Sequence, residues 1–193
     1  MRTSDISRET KETNVKCSLN IDGSGKYAID TGVGFLDHML ELFAYHGRFD
    51  LTLRCKGDTK VDNHHSAEDC GIVLGQAFDK ALGERRGVAR YGQCAMPMDE
   101  TLVLAAADIS GRPFIGFDAP IAERGALDTE AIEEFLNGFV REAGLTLHVK
   151  LLSGRNAHHI IEACFKGLAR ALSAAAAPDA RYKDETPSSK GLI

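Results

Sequence analysis

A basic excess, paired cysteines and long apolar runs are all missing from this chain. Its 193 residues carry 23 Lys and Arg against 28 Asp and Glu, a formal net charge of −5. The electrostatic footprint of a nucleic-acid binder is therefore absent, and the basic residues are scattered apart from short pairs such as Arg85-Arg86. The cysteines (Cys17, Cys55, Cys70, Cys94 and Cys164) are odd in number and show no CxxC spacing. That argues against a disulfide framework or a thiolate zinc site and leads us to expect reduced thiols in the cytoplasm. No apolar run reaches the length needed to span a bilayer, and no signal-peptide pattern opens the chain. The expected partners thus include neither nucleic acid nor membrane.

What is present is a doubled motif. His64-His65 followed by Glu68 recurs as His158-His159 followed by Glu162, so four of the seven histidines sit in two His-His-x-x-Glu boxes. On a helix the glutamate shares a face with the first histidine, one turn earlier, whereas adjacent histidines point in clearly different directions. One box cannot easily close around one ion, but it can lend one imidazole to each of two. The glutamate follows the histidines instead of separating them, so this is not the HExxH zinc-protease pattern.

The boxes anchor a longer repeat. Leu51-Thr52-Leu53 and Leu145-Thr146-Leu147 precede them at the same interval, and Cys70 and Cys164 each fall two residues after the box glutamate. Period and turn chemistry predict strands over 15–21 and 26–30, flanking Asp22-Gly23-Ser24-Gly25 as a hairpin. A helix over 35–45 stopped by Gly47, a strand over 49–55 and a helix over 64–82 capped by Asp62 or Asn63 follow, with Gly83 beyond its end. The second half repeats the order: strands over 101–108 and 114–117, a helix from Asp128 to Arg141, a strand over 145–151 and a helix over 156–176. Strand, strand, helix, strand, helix in each half implies an α+β fold with helices on one face of a sheet. The expected halves are 1–88 and 89–180, with 181–193 as a polar tail that is either an ordered loop or a mobile arm.

Imidazoles and carboxylates without thiolates favour Mn²⁺, Fe²⁺ or Zn²⁺, and a mixed octahedral set leans towards Mn²⁺. His38 on the preceding helix and Glu134 at the matching place of the second half offer one further donor each; Glu134 beside Glu133 also reads as a solvated acidic turn. His46, near a helix end, reads as a dipole partner, and His148, outside the boxes, as structural. Arg90, Arg112 and Lys190 are separate in sequence and read individually as surface charges, while Ser188-Ser189-Lys190-Gly191 could wrap an anion with hydroxyl, ammonium and backbone N–H groups.

Gly34-Phe35-Leu36-Asp37-His38-Met39-Leu40, the two extended boxes (Asp62-Asn63-His64-His65-Ser66-Ala67-Glu68-Asp69 and Asn156-Ala157-His158-His159-Ile160-Ile161-Glu162-Ala163) and Pro187-Ser188-Ser189-Lys190-Gly191 together resemble the imidazoleglycerol-phosphate dehydratase family of histidine biosynthesis. The resemblance runs from Arg8-Glu9-Thr10-Lys11-Glu12-Thr13 to the end of the chain and is to the monofunctional form. It implies two fused half-domains, each a four-stranded sheet with two helices on one face, and trimers assembled into a 24-subunit homo-oligomer with metal sites built from more than one subunit. It places metal ligands at His38, His64, His65, Glu68, His158, His159 and Glu162. At Glu134 many relatives carry histidine, a departure that a carboxylate can still serve as a ligand. Phosphate contacts fall on Arg90, Arg112, Ser188 and Lys190, and Glu12, His46 and Lys166 match positions lining the substrate. The implied reaction converts imidazole glycerol phosphate to imidazole acetol phosphate and water through an imidazolate stabilised by two Mn²⁺ per subunit, with Glu12 and Glu162 as acid/base groups. A binuclear metallohydrolase, a metal-storage shell and a metal-stabilised scaffold stay open as alternatives from other classes.

Overall fold

The structure, a computed structural model, describes residues 1–121, 129–183 and 185–193. In chain order its elements are β1 (Thr3–Glu9), β2 (Thr13–Asn20), β3 (Tyr27–Asp30), α1 (Gly34–Gly47), β4 (Asp50–Gly57), α2 (His64–Leu82), β5 (Tyr91–Met98), β6 (Thr101–Asp108), β7 (Phe114–Asp118), α3 (Thr129–Ala143), β8 (Thr146–Ser153) and α4 (Ala157–Ala176). The expected start of the third helix at Asp128 lies outside the described residues.

Alternation sets the central strands. Val15, Cys17 and Leu19 of β2 are buried while Lys16 and Ser18 are exposed, and Val103, Ala105 and Ala107 repeat the pattern on β6. A strand of period two has one face to bury, and the helices cover it. The sheets have the same order, β1-β2-β4-β3 and β5-β6-β8-β7. In each, the last two strands of that order run parallel, Tyr27 level with Leu51 and Phe114 level with Thr146, and the rest run antiparallel. α1 and α3 are thus the crossovers that parallel pairing requires. The duplicated α+β half-domain, a four-stranded sheet with two helices on one face, is the observed architecture.

Two expectations are corrected. The strands flanking Asp22-Gly23-Ser24-Gly25 do not form a hairpin, because β4 lies between β2 and β3. The turn instead wraps the start of β4. The Asp50 carboxylate accepts the backbone N–H groups of Ser24 (2.7 Å) and Lys26 (3.0 Å), and Leu51 N–H donates to the Lys26 carbonyl. Local alternation is the same for either pairing, so the period alone does not distinguish them. The stop of α1 also shifts. Arg48 takes the left-handed conformation (φ 61°) while Gly47 stays helical; the glycine serves packing instead, since a Cβ there would stand 2.3 Å from the Phe49 ring.

Two of the four edge strands, β1 and β5, escaped the periodicity reading. β1 buries only Ser4 and β5 only Gly92, and β5 contains Pro97. Polar, proline-containing sequence is what an edge tolerates and a central strand does not.

The helices pair across the halves: α1 packs on α4 and α2 on α3. Close approach explains the glycines on α2, since a Cβ at Gly71 would stand 2.2 Å from the Phe135 carbonyl oxygen and one at Gly75 2.5 Å from that of Phe139. Phe43, Phe78, Phe135, Phe139 and Phe165 form one buried cluster drawn from both halves, with Phe78 and Phe139 centroids 5.9 Å apart. Each such ring contributes roughly 1.5–3 kcal/mol by burial, so the halves share a single core.

The tail folds back on the link between the halves. Gly87 N–H donates to Glu185 O, Asp179 N–H donates to Gly87 O, and Val88 bridges Pro178. The Arg181 guanidinium holds the Asp179 carboxyl down to about 2, from 3.8. A depressed carboxyl stabilises the fold above its unfolded value and loses that contribution as pH falls towards its folded one. Wild type should therefore lose more unfolding temperature between pH 5 and pH 3 than Asp179→Asn, which thermal melts at the two pH values can check.

Candidate metal centre and phosphate cleft

Both boxes open a helix, and each opening is fixed by a side chain just before it. The Asp62 carboxylate accepts His64 N–H (2.9 Å), and Asn156 accepts His159 N–H (3.2 Å). Adjacent histidines then diverge as helix geometry demands, with ring planes at 86° for His64 and His65 and 88° for His158 and His159.

The first histidine of each box turns to its own glutamate, with 3.8 Å between His64 Nε2 and Glu68 and 3.2 Å between His158 Nε2 and Glu162. Because α1 packs on α4, His38 comes to the second box and not to the box of its own half. His38 Nε2 lies 3.8 Å from Glu162, and one donor atom each from His38, His158 and Glu162 fall within 4.8 Å of one another. The carboxylate is nearly buried, with 9% of its side chain exposed, while the two rings are 44% and 47% exposed. This fits an ion seated at the surface with open coordination positions, and two imidazoles with a carboxylate suit Mn²⁺, Fe²⁺ or Zn²⁺. Among the described residues no second group of three is as close. Glu134 is on α3, one turn before Gly138, whose Cα faces the backbone at Glu68; it is not gathered with His64 and Glu68.

Lys166, one turn beyond Glu162, forms an ion pair with it. Burial pushes the Glu162 carboxyl up, but the Lys166 ammonium and the His158 and His38 rings outweigh it, and the group lies below the usual range. His46 on α1 faces the same place: burial, then the Lys166 and Arg170 charges, lower its pKa and favour the neutral ring.

The second histidine of each box turns away to other carboxylates, of which sequence reasoning had singled out only Glu12. Asp58 lies 3.1 Å from His65 Nδ1 and Glu12 lies 3.9 Å from its Nε2. Glu100 lies 2.8 Å from His159 Nδ1 and Asp99 lies 3.8 Å from its Nε2. Hydrogen bonding to Asp58 and to Glu100 raises the pKa of the respective imidazole, and Glu100 itself is drawn down to about 2, first by His159 and then by Asn156 N–H. Acidic residues in connecting turns carry no periodicity, so nothing in the sequence flagged Asp58, Asp99 or Glu100.

The four phosphate candidates do converge. Arg90, Arg112, Ser188 and Lys190 line one cleft of about 400 Å³, together with Tyr91, Ser110 and Ile193. Arg90, in the left-handed conformation at φ 71°, is held by Asp108 (2.8 Å) and by the Pro187 carbonyl (2.8 Å), which ties the tail to the cleft. His148 lies exposed on β8 beside Phe114, apart from both sites.

Comparison with known proteins covers the site and the fold together. A family model described as imidazoleglycerol-phosphate dehydratase matches residues 31–172. A protein of that name from Xanthobacter autotrophicus is 56% identical over 100% of this chain and 99% of its own length. The crystal structure of the Staphylococcus aureus dehydratase is 40% identical with a TM-score of 0.81, covering 90% of this chain and 97% of that one. The Pyrococcus furiosus structure is 39% identical with a TM-score of 0.82, covering 97% of this chain and 100% of that one. With matching sequence along its whole length and matching topology in both halves, the chain belongs to the imidazoleglycerol-phosphate dehydratase family.

Proposed function

We propose that the chain removes water from imidazole glycerol phosphate to give imidazole acetol phosphate in histidine biosynthesis, with two Mn²⁺ per subunit. The observation that carries this reading is the junction of His38 with His158 and Glu162, which places a two-imidazole, one-carboxylate donor set at the surface between α1 and α4. His38, His158 and Glu162 hold one ion; His64, Glu68, His65, His159 and Glu134 are the proposed remaining donors. Bound ions supply Lewis acidity and hold the imidazole ring and diol in register.

The chain's own groups move the protons. Glu12, 56% exposed and 3.9 Å from His65, takes the proton from the carbon bearing the second hydroxyl. The departing hydroxyl leaves as water with a proton from the Lys166–Glu162 pair, where the ammonium carries the proton and the carboxylate holds it in place. Transfer back from Glu12 through solvent resets the pair, and the enol product tautomerises to the ketone. His46, kept neutral beside Lys166, lines the ring end.

The phosphate end poses a distance problem. Arg90 N–H bonds to Ala175 O near the end of α4, whereas His158 and Glu162 are in its first turns. At 1.5 Å per residue the two ends are roughly 20–25 Å apart. β6 gives the same ruler, with Glu100 and His159 at one end and Arg90 and Asp108 at the other. A ring, three carbons and a phosphate cannot bridge that span. A complete site therefore takes its phosphate cleft from a second copy, which supports a homo-oligomer, proposed as a cytoplasmic 24-mer built from trimers.

Purified protein with Mn²⁺ and imidazole glycerol phosphate should yield an enolisable ketone, while model phosphate and amide esters stay intact. Absence of the ketone, or ester hydrolysis in its place, rules the reading out. Neutralising the phosphate anchor with Lys190→Ala should raise KM about 10–100-fold, the worth of a hydrogen bond to a charged group, with kcat changed far less. Steady-state kinetics checks that split.

A further inference from the structure

The two halves hold their outer histidines with carboxylates from different places. In each sheet a tight turn joins the first two strands, and a glutamate ends that turn. Glu12 precedes Thr13, the first residue of β2, and Glu100 precedes Thr101, the first residue of β6. Both threonines are buried, at 3% and 1%. Glu12 and Glu100 are therefore the same position of the duplicated half.

Their surroundings differ. Glu100 is fully engaged: Oε2 meets His159 Nδ1 at 2.8 Å, and Oε1 accepts the backbone N–H groups of Asn156 (3.0 Å) and Arg155 (3.3 Å). The Glu12 carboxylate makes no hydrogen bond among the described residues and stays 3.9 Å from His65 Nε2. The Nδ1 of His65 is taken by Asp58 at 3.1 and 3.2 Å. Asp58 lies in the 58–63 connection between β4 and α2, whereas the matching connection between β8 and α4 is only 154–156. The shorter connection holds no carboxylate, since it reads Gly154-Arg155-Asn156.

A carboxylate on Nδ1 fixes the proton there and turns the Nε2 lone pair outward, which sets tautomer, ring orientation and ligand basicity together. Resting on the reading of the site given above, the geometry points to Glu100 as a positioning residue for His159 and to Asp58 as its replacement in the first half, an exchange that releases Glu12 for proton transfer. One half keeps the glutamate as an orienting group. The longer loop of the other supplies a substitute, so the equivalent glutamate faces the reacting end with its carboxylate free.

The test compares Glu100→Gln, Asp58→Asn, Glu12→Gln and Asn156→Ala in the full-length protein, reading Mn²⁺ affinity by chelator competition together with kcat, KM and unfolding temperature. Loss of an orienting partner costs about 10–100-fold in metal affinity, so Glu100→Gln and Asp58→Asn should each weaken Mn²⁺ binding at least about tenfold. Glu12→Gln should change it less than about twofold while kcat collapses. Asn156→Ala loosens the same loop but leaves the Glu100 carboxylate on His159, and should lower the unfolding temperature with metal affinity within about threefold. Wild-type affinity in Glu100→Gln overturns the inference, as does equal loss in Glu12→Gln or in Asn156→Ala. If Glu100→Gln fails to fold, Asp58→Asn tests the same rule on the other side. Failure of wild type to turn over imidazole glycerol phosphate would sink the functional reading, whereas the order of metal affinities tests the orienting roles separately.

Discussion

Glu12→Gln is expected to lower kcat by about two to four orders of magnitude, the range typical of a lost general base, with metal content unchanged. The exchange keeps size and hydrogen-bonding reach but replaces a basic carboxylate with an amide too weakly basic to take the proton. Glu12 is half exposed, on a turn whose shape comes from other groups: Thr10 Oγ1 accepts the Glu12 and Thr13 N–H groups, and Thr13 donates to Asp69. Among the described residues its carboxylate makes no hydrogen bond and only a 3.9 Å approach to His65, so the unfolding temperature should stay put. Single-turnover kinetics separates the chemical step from binding, and metal analysis of the same sample shows whether the ions are retained. Near-normal kcat would remove Glu12 from the proton-transfer role.

Gly71→Ala should be strongly damaging to the core. Its Cβ would meet the carbonyl oxygen of Phe135 at 2.2 Å and the Phe135 Cα at 3.0 Å. The obstacle is backbone, so no rotamer change relieves it, and α2 and α3 must separate. Overpacking of this kind costs typically 1–3 kcal/mol, and a contact against a helix backbone belongs at or above the upper end. Alanine's better helix propensity returns only about 1 kcal/mol. Urea unfolding should show a clearly lower midpoint with the slope preserved. Because α2 carries His64, His65 and Glu68, the separated helices should also retain less metal. A midpoint equal to that of wild type would mean that the two helices are not seated this closely.

Much of this was legible in the sequence, and the reasons are physical. Helix α2 starts and ends as read because its cap carboxylate and its terminal Gly83 (φ 61°) are local signals. The boxes declared their own geometry, since the angle between neighbours and the one-turn spacing are properties of any helix. Partnership was not local. His38 was read as one further donor with no box assigned to it, and it reaches Glu162 because α1 packs on α4, which no spacing encodes. Asp58 and Glu100 were passed over for the same reason: each matters only through the ring it faces across a turn. The four phosphate candidates, scattered over 90–190, gave a weak signal individually and line one cleft in the fold, where Asp108 and Pro187 hold Arg90.

The crossed pairing of helices bears on how such a chain can arise. With α1 seated on α4 and α2 on α3, neither half closes the donor set of His38, His158 and Glu162 alone. A single half would have to find its complement on another molecule, at a rate and occupancy set by concentration. Joining two halves in one polypeptide turns that encounter into an intramolecular step, with an effective concentration on the millimolar scale for a short tether. The join also lets the copies drift apart. Once the two versions of a position are inherited separately, one glutamate can stay as a fixed support while the other changes occupation.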